Sequence, residues 1–464
     1  MSLKSVEIIG YRGFKERTTV EFSIPDTINQ GSGLTILTGP NNSGKSSILE
    51  CLRTRSGYQN ISFTTGTRNS SVEFVEIKFN IIEKKDSEEK ERQEIIKSVA
   101  KGSSETSRTG IDNSFQIFVL PSRRAFNPYF SRNSLNREEY LHHNIIQSQR
   151  SSTLNNFEQR LFNILKSPEN FNELLKEALG FDVTWTIDQT DQGQYFLKFF
   201  NGNHTHSSDG MGEGIVSIFS IIDSLYDSNP GSVIVIDEPE LSLHPALQKR
   251  VKEILLRFSK DRQIIISTHS PYFIDIKALG NGAKIARVIT QEGCTKVHQL
   301  SDESIKAIGQ LSTSNLYNPH IFGLDAKELF FLEDKIILTE GQEDVLLFPS
   351  VFEKSNKPLS GNFFGWGAGG ANNIVKICGI LKDLGFSKVA AIFDGDKKTE
   401  ARTCREKFPN YHFDCISADD IRTKPARKET ARTEGLVDEN YNIRPEHIEP
   451  FKSLASDLDD YLKT

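Results

Sequence analysis

Leu34-Thr-Ile-Leu-Thr-Gly-Pro-Asn-Asn-Ser-Gly-Lys-Ser46 is an apolar run that breaks into a glycine-rich turn and closes on a lysine and a serine. Residues 39–46 fit the pattern G-x-x-x-x-G-K-[ST]. They also have the context that gives this pattern meaning, a strand before and a helix after. Glycines there let backbone N–H groups approach phosphate oxygens, Lys45 neutralises them, and Ser46 can ligate Mg²⁺. The stretch predicts ATP with Mg²⁺, held by Gly39, Asn41, Asn42, Gly44, Lys45, Ser46 and Ser47. It also predicts an α/β fold with parallel strands around the turn.

The remaining parts of a nucleotide site follow downstream. Val233-Ile-Val-Ile-Asp-Glu-Pro-Glu240 is an apolar strand with an acidic exit, in which Asp237 would hold Mg²⁺ through water and Glu238 would polarise the attacking water. Leu241-Ser-Leu-His-Pro245 comes next, and Ser267-Thr-His-Ser-Pro271 closes the following strand. This order resembles the ABC ATPases of the SMC and repair type, especially the AAA-like ATPase domain of OLD-family proteins. The resemblance implies that Leu243 and His244 lie in a dimer-contacting loop and that His269 senses the γ-phosphate. It also implies a signature segment acting across a dimer, for which Ser207-Ser-Asp-Gly-Met-Gly-Glu213 is the candidate, with Ser208, Gly210 and Gly212 as nucleotide contacts. An ordinary turn and helix cap would read the same way. Pro121-Ser-Arg-Arg124 resembles the region where relatives place a nucleotide-sensing arginine, Arg123 or Arg124.

Working outward from the glycine turn, strands are expected at residues 5–9, 18–24 and 72–82, and a helix at 45–52. Residues 83–113 are dense in Lys, Glu and Ser and read as a solvated helix plus loop. Residues 125–180 read as a helical insertion that supplies a dimer contact. Strands resume at 183–187, 195–200, 233–236 and 263–267, with a helix at 214–225.

A second acidic set begins near Lys335. Ile336-Ile-Leu-Thr-Glu-Gly-Gln-Glu-Asp344 is a strand ending in Glu-Gly-x-x-Asp, and Val389-Ala-Ala-Ile-Phe-Asp-Gly-Asp396 is another ending in Asp-x-Asp. Parallel strands deliver their carboxyl ends to one sheet edge, so Glu340, Asp344, Asp394 and Asp396 can converge. Convergent carboxylates bind hard divalent ions, Mg²⁺ or Mn²⁺, which activate water for phosphodiester cleavage. Glu340 could instead act as a general acid or base. The two runs resemble the first and second Toprim motifs, with Gly365-Trp-Gly-Ala-Gly-Gly-Ala371 where relatives carry a glycine-bearing turn.

Residues 417–424 lie where OLD nucleases place further acidic and basic positions. The resemblance implies Asp419, with Asp420, for a second metal and Lys424 for a phosphate contact. Lys424, Arg427, Lys428 and Arg432 form a basic run that fits a phosphate backbone or a solvated helix face.

The expected architecture is α/β: an ABC-type P-loop ATPase over residues 1–320, a junction at 321–335, and a smaller parallel-sheet Toprim domain with a terminal helix over 336–464. What the resemblance implies is an ATP-hydrolysing, metal-dependent DNA endonuclease. Family members act in antiphage defence, alone, with a partner protein as in Gabija, or as effectors of retron systems. A homodimer or higher even-numbered oligomer is expected because the signature acts in trans. The alternative is a sensor or scaffold ATPase with a silent Toprim module that controls a partner protein.

A net charge of −6 gives no global signal for nucleic acid, so any contact must be local. Five scattered cysteines with no CxxC pair argue against a disulfide framework and a zinc site, and fit a reducing cytoplasm. No stretch approaches the roughly 18 apolar residues of a membrane span, so no membrane partner is expected.

Overall fold

A computed structural model describes residues 1–55, 63, 66–85, 88–101, 105–112, 114–122, 131–137, 139, 157–201, 204–207, 212–313, 328–357, 359–424 and 434–463. The chain divides into two compact units, Met1–Val297 and His298–Thr464. The first runs β1 (Ser2–Ile9), β2 (Thr18–Glu21), β3 (Leu34–Thr38), α1 (Lys45–Arg55), β4 (Glu76–Lys85), β5 (Glu88–Ser98), β6 (Thr106–Thr109) and β7 (Ile117–Leu120). It continues with α2 (Phe157–Ile164), α3 (Glu169–Leu179), β8 (Thr184–Gln189), β9 (Tyr195–Asn201), β10 (His204–Ser207) and α4 (Glu213–Tyr226). The unit is completed by β11 (Val233–Asp237), α5 (Pro245–Phe258), β12 (Gln263–Ser267), α6 (Ile276–Gly280), β13 (Lys284–Gln291) and β14 (Cys294–Gln299).

Strands β3, β11 and β12 are continuous apolar runs because they are covered on both faces. They lie in a six-stranded sheet of order β14-β13-β3-β12-β11-β7, parallel from β13 through β7. The carboxyl ends of β3, β11 and β12 therefore share one edge, and Asp237 sits directly opposite Ser267. A second, antiparallel sheet has the order β2-β1-β4-β5-β6. Ile48, Leu49, Cys51 and Leu52 of α1 join one core with Val6, Ile77 and Phe79 of this sheet and Leu37, Val235 and Ile265 of the other. The helix that opens at the glycine turn is thus held by both sheets.

Residues 83–113 correct the sequence reading. The charged run is not a solvated helix but most of the hairpin β4–β5 with β6 beside it. Several of the charges find partners there: Lys97 meets Glu76 across the sheet at 3.1 Å, and Arg92 meets Asp112 at 2.8 Å. Glu94 is fully buried and accepts from Arg55 Nε at 2.8 Å and Nη2 at 3.1 Å. Arg55 also donates to the carbonyls of Asp112, at 2.7 Å, and Phe115. The far end of α1 is pinned to β5 in this way.

The described part of the helical insertion, α2 and α3, packs on the body of the unit. Arg160 of α2 is 0% exposed and bonds Asp223 of α4 through Nη2 at 2.8 Å, and Arg257 of α5 meets Glu177 of α3 at 2.7 Å. Phe171 on α3 packs with Trp185 on β8 and Phe219 on α4, and β8, β9 and β10 form a three-stranded antiparallel sheet. The rest of the expected insertion falls largely outside the described residues.

The second unit runs α7 (Asp302–Thr313), β15 (Ile336–Leu338), α8 (Gln342–Lys354), β16 (Asn362–Phe363), α9 (Ala371–Asp383), β17 (Val389–Phe393), α10 (Lys398–Lys407), β18 (His412–Cys415) and α11 (Pro445–Lys463). Its sheet is wholly parallel, in the order β16-β15-β17-β18. Phe348 and Phe352 of α8 share a core with Phe451, Leu454 and Leu458 of α11 against Ala390 and Ile392 of β17. The sequence reading carried the first domain to residue 320, but α7 belongs to the second unit. There Ser301 N–H and Ser304 Oγ donate to Asp383 at the end of α9, at 3.0 and 2.5 Å. Among the described residues, no helix is long and apolar enough to cross a membrane.

Candidate functional sites

The glycine turn opens onto a cleft of 640 Å³ lined by Asn41, Asn42, Ser43, Gly44, Lys45, Ser46, Ser122, Asp237, Glu238, Leu241 and His269. Four separate sequence runs, following β3, β7, β11 and β12, therefore meet at the edge of one sheet, as their strand order requires. Gly39 has φ 135°, and a Cβ there would lie 1.9 Å from the Val288 carbonyl oxygen, so no larger residue fits between the turn and β13. Lys45, only 5% exposed, donates to the carbonyls of Gly39 and Pro40, both at 2.9 Å. The ammonium is therefore held over the turn. Ser47 is buried on the protein side, where it accepts from Arg12 Nη1 at 3.5 Å, and it does not line the cleft.

Asp237 accepts from Ser267 Oγ, which fixes the carboxylate at the junction of β11 and β12. Glu238 follows with φ 47°, a conformation that costs a non-glycine residue free energy, and its N–H bonds the Ser267 carbonyl at 2.9 Å. The backbone turns sharply at the residue expected to polarise water. Glu240 was not singled out from the sequence. It accepts from Thr268 Oγ1 at 2.7 Å and from the His269 N–H at 2.6 Å, and so fastens the loop that carries His269. Burial raises the Glu240 carboxyl above its usual pKa, against the opposing effect of those two donors. Burial and the nearby Lys45 lower the pKa of His269, which favours neutral imidazole.

Other expected nucleotide residues separate here. Gly212 is the exposed N-cap of α4, whereas Ser208, Gly210, Arg123 and Arg124 lie outside the described residues. Their neighbour Ser122 does line the cleft. Leu243 is 6% exposed and packs inside the unit, while His244 is exposed and caps α5 by accepting from the Ala246 N–H at 3.2 Å.

The second acidic set occupies the corresponding edge of the other sheet. Glu340 follows β15 and accepts from the Asp394 N–H at 3.0 Å, which ties the exits of β15 and β17 together. Asp344 caps α8 by accepting from the Gly341 N–H at 2.8 Å. Burial, followed by the charges of Asp344, Glu340 and Asp396, pushes Asp394 up to about 8. Burial likewise raises Asp344 to about 6 and raises Glu340. Carboxyl groups crowded at a sheet edge repel one another, and a cation placed among them would relieve that repulsion.

Asp396 pairs with Lys397 at 2.6 Å. Lys424 pairs with Asp420, which is 7% exposed, while Asp419 is exposed. The structure therefore draws Asp420 and Lys424 together and turns Asp419 outward. Lys424 is close enough to oppose the rise of the Asp394 pKa. The remaining basic positions, Arg427, Lys428 and Arg432, lie outside the described residues. Among the described residues, no three His, Cys, Asp or Glu side chains sit as a ready cage for a metal ion. Glu340, Asp344 and Asp396 are instead each turned to a local donor. The donor set, all carboxylate oxygen and mutually repelling, nonetheless fits a hard divalent ion.

Residues 34–275 match the family described as AAA domain, putative AbiEii toxin, Type IV TA system, and residues 331–396 match the overcoming lysogenization defect protein-like TOPRIM domain. Among curated proteins, the Old nuclease of Escherichia phage P2 is 28% identical over 126 residues, 27% of this chain and 21% of that protein. The chromosome partition protein Smc of Lactiplantibacillus plantarum is 38% identical over 74 residues, 16% of this chain and 6% of that protein. The matches therefore span about a fifth or less of either relative. Among solved structures, an Smc head bound to the C-winged helix domain of ScpA is 17% identical with a TM-score of 0.45. It covers 66% of this chain and the match takes in 100% of that one. The SMC head domain from Thermotoga maritima gives 14% and 0.39, over 65% of this chain and 100% of that one.

Proposed function

The chain belongs to the OLD family of ATPase–Toprim proteins, and from that premise we propose that it is an ATP-hydrolysing, divalent-metal-dependent DNA endonuclease whose cleavage is set by nucleotide state. The observation that carries the reading is that each unit has its own site at the edge of its own sheet of parallel strands, and that the two sites are unlike. One is a cleft that brings Lys45, Asp237, Glu238 and His269 around a phosphate-sized turn. The other is an edge where Glu340, Asp344 and Asp394 crowd until Asp394 resists ionisation.

At the first site Ser46 and Asp237 would hold Mg²⁺ beside ATP, and Glu238 would orient the water that attacks the γ-phosphate. Glu240 positions His269 against that phosphate. At the second, Glu340, Asp344, Asp394 and Asp396 would hold Mg²⁺ or Mn²⁺, which supplies activated water and stabilises the leaving oxygen. Lys424 steadies a phosphate through its charge. The four free cysteines buried here, Cys51, Cys294, Cys378 and Cys404, fit a reducing cytoplasm. A role in antiphage defence and an even-numbered assembly complete the proposal; plaque counts and light scattering with and without ATP test them.

The deciding experiment is supercoiled-plasmid cleavage across Mg²⁺, Mn²⁺ and nucleotides, with Asp394→Ala alongside. Metal-dependent nicking that vanishes in the variant is the expected result. Identical cleavage with and without nucleotide would remove the gating claim. The alternative is a scaffold ATPase with a silent acidic module. It predicts no cleavage under any metal and unchanged partner control in Asp394→Ala.

A further inference from the structure

The chain contains two tryptophans, and they are treated in opposite ways. Trp185 is 7% exposed, packs edge-on against Phe171 and Phe219, and donates its indole N–H to Asn172 Oδ1 at 2.8 Å. Trp366 is 39% exposed and has neither a ring contact nor a hydrogen bond to another described residue. Burying an aromatic ring of this size is among the largest apolar gains a fold can make, and Trp366 leaves about two fifths of that gain unused.

The loop that carries Trp366 is fastened on both sides. Phe364 N–H bonds the Ile337 carbonyl at 2.8 Å, Ala368 N–H bonds the Thr339 carbonyl at 2.8 Å, and Gly370 N–H bonds the Glu340 carbonyl at 2.8 Å. Asn373 Nδ2 adds donations to the carbonyls of Ala368 and Gly369, both at 3.1 Å. Gly367, next to Trp366, approaches the first acidic motif so closely that a Cβ would lie 2.6 Å from the Gly341 carbonyl. Trp366 is therefore displayed from a segment bonded at three points, on both sides of the ring, to β15 and its exit. Glu340 leaves the same exit and reaches the backbone of Asp394. Lys397 and Lys424 stand on the same edge, each beside a carboxylate.

We propose that Trp366 is a base-stacking platform that holds an unpaired nucleotide beside the acidic edge, so that the substrate of this site is single-stranded or locally unpaired DNA. The proposal rests on the nuclease reading of that edge. A flat ring accepts the face of any base, whereas in a duplex those faces are covered by neighbouring pairs. Stacking supplies affinity without sequence choice, and the two lysines attract the backbone. Trp366 acts as a positioning residue: it sets where the strand lies relative to Glu340 and Asp394.

The test uses the full chain as wild type, Trp366→Ala, Trp366→Tyr and Asp394→Ala, with oligothymidylate and a duplex of equal length as probes. Titrating oligothymidylate should quench the fluorescence that wild type has in excess of Trp366→Ala, since Trp185 is common to both. Affinity for the single strand should fall roughly 5- to 150-fold in Trp366→Ala, the span of one base stacked on an aromatic ring, and return largely in Trp366→Tyr. Affinity for the duplex should stay unchanged. Equal single-strand affinity in wild type and Trp366→Ala would overturn the proposal, as would a loss common to both probes or one that tyrosine fails to restore. Persistent cleavage by Asp394→Ala would sink the nuclease reading instead, while the binding comparison still decides whether Trp366 stacks.

Discussion

The two sheet edges are built on the same topological rule and prepared for opposite charges. At the edge of β3, β11 and β12 the chain supplies its own cation: Lys45 is bonded to the turn, and the cleft around it accepts an anion. At the edge of β15, β17 and β18 the chain supplies anions and leaves them crowded, with Asp394 raised to about 8. The first site is formed before its ligand arrives, because glycine and lysine geometry is set by the backbone. The second has Asp344, Asp396 and Asp420 turned to a local N–H group and to lysines, and asks for an ion to gather its carboxylates. Parallel strands fix where chemistry collects, and the exit residues decide which charge it awaits.

The largest effect that would break this comparison is at Asp394. Asp394→Ala should lower metal-dependent cleavage by more than about 100-fold, beyond the loss typical of an outer-shell partner, and leave ATP affinity unchanged. Plasmid nicking and fluorescent-nucleotide titration read the two halves, and an equal loss of ATP binding would show that Asp394 does not act through the acidic edge alone. Lys45→Ala should do the converse, weakening ATP by about 1.5–3 kcal/mol, roughly 10- to 150-fold, the range for a charge-assisted hydrogen bond. Its affinity for Mn²⁺ at the acidic edge should not move.

Glu240→Gln sharpens the comparison within the first site. It keeps the side-chain shape and both contacts, with the amide oxygen accepting from His269 N–H and the amide N–H donating to Thr268 Oγ1, but removes the carboxylate charge that strengthens them. ATP hydrolysis should fall about 10-fold with nucleotide affinity nearly unchanged, measured by phosphate release against titration. An equal loss in binding would mean that Glu240 shapes the cleft and not the sensor loop.

The smallest effect is a pH dependence. Because the pKa of His269 is lowered in the folded chain, the unfolded chain binds more protons near pH 6. Its share of stability is thus present above the unfolded value of about 6.5 and lost as pH falls toward the folded one. The drop in Tm between pH 7.5 and 5.5 should be smaller in His269→Gln than in wild type. An unchanged drop would remove His269 as a contributor.

Much of the first site was legible because backbone rules write it into short runs. An apolar strand that stops at Gly39, Asp237 or Ser267 announces both the strand and its exit, and the same holds for Glu340 and Asp394. What escaped depends on neighbours that only the fold supplies. Glu240 gains its partners when β12 comes to lie beside β11. β5 was misread because its charges look solvated until Glu76 stands opposite Lys97 and Arg55 reaches Glu94. Asp419 and Asp420 are adjacent and chemically alike, so sequence does not tell that one is buried on Lys424 and the other faces water.

The pin between Arg55 and Glu94 bears on how this chain can vary. Helix α1 has a fixed feature at each end, the phosphate turn at Lys45 and the buried guanidinium at Arg55. Adding or removing one residue between them would rotate one end against the other by about 100° and shift it by about 1.5 Å. Either the ammonium would leave the turn or the guanidinium would leave Glu94, and a buried charge stripped of its partner costs about 3–5 kcal/mol. Surface loops elsewhere can lengthen at little cost. This helix works as a ruler: substitutions can pass through it, but insertions and deletions should be absent from any functional variant.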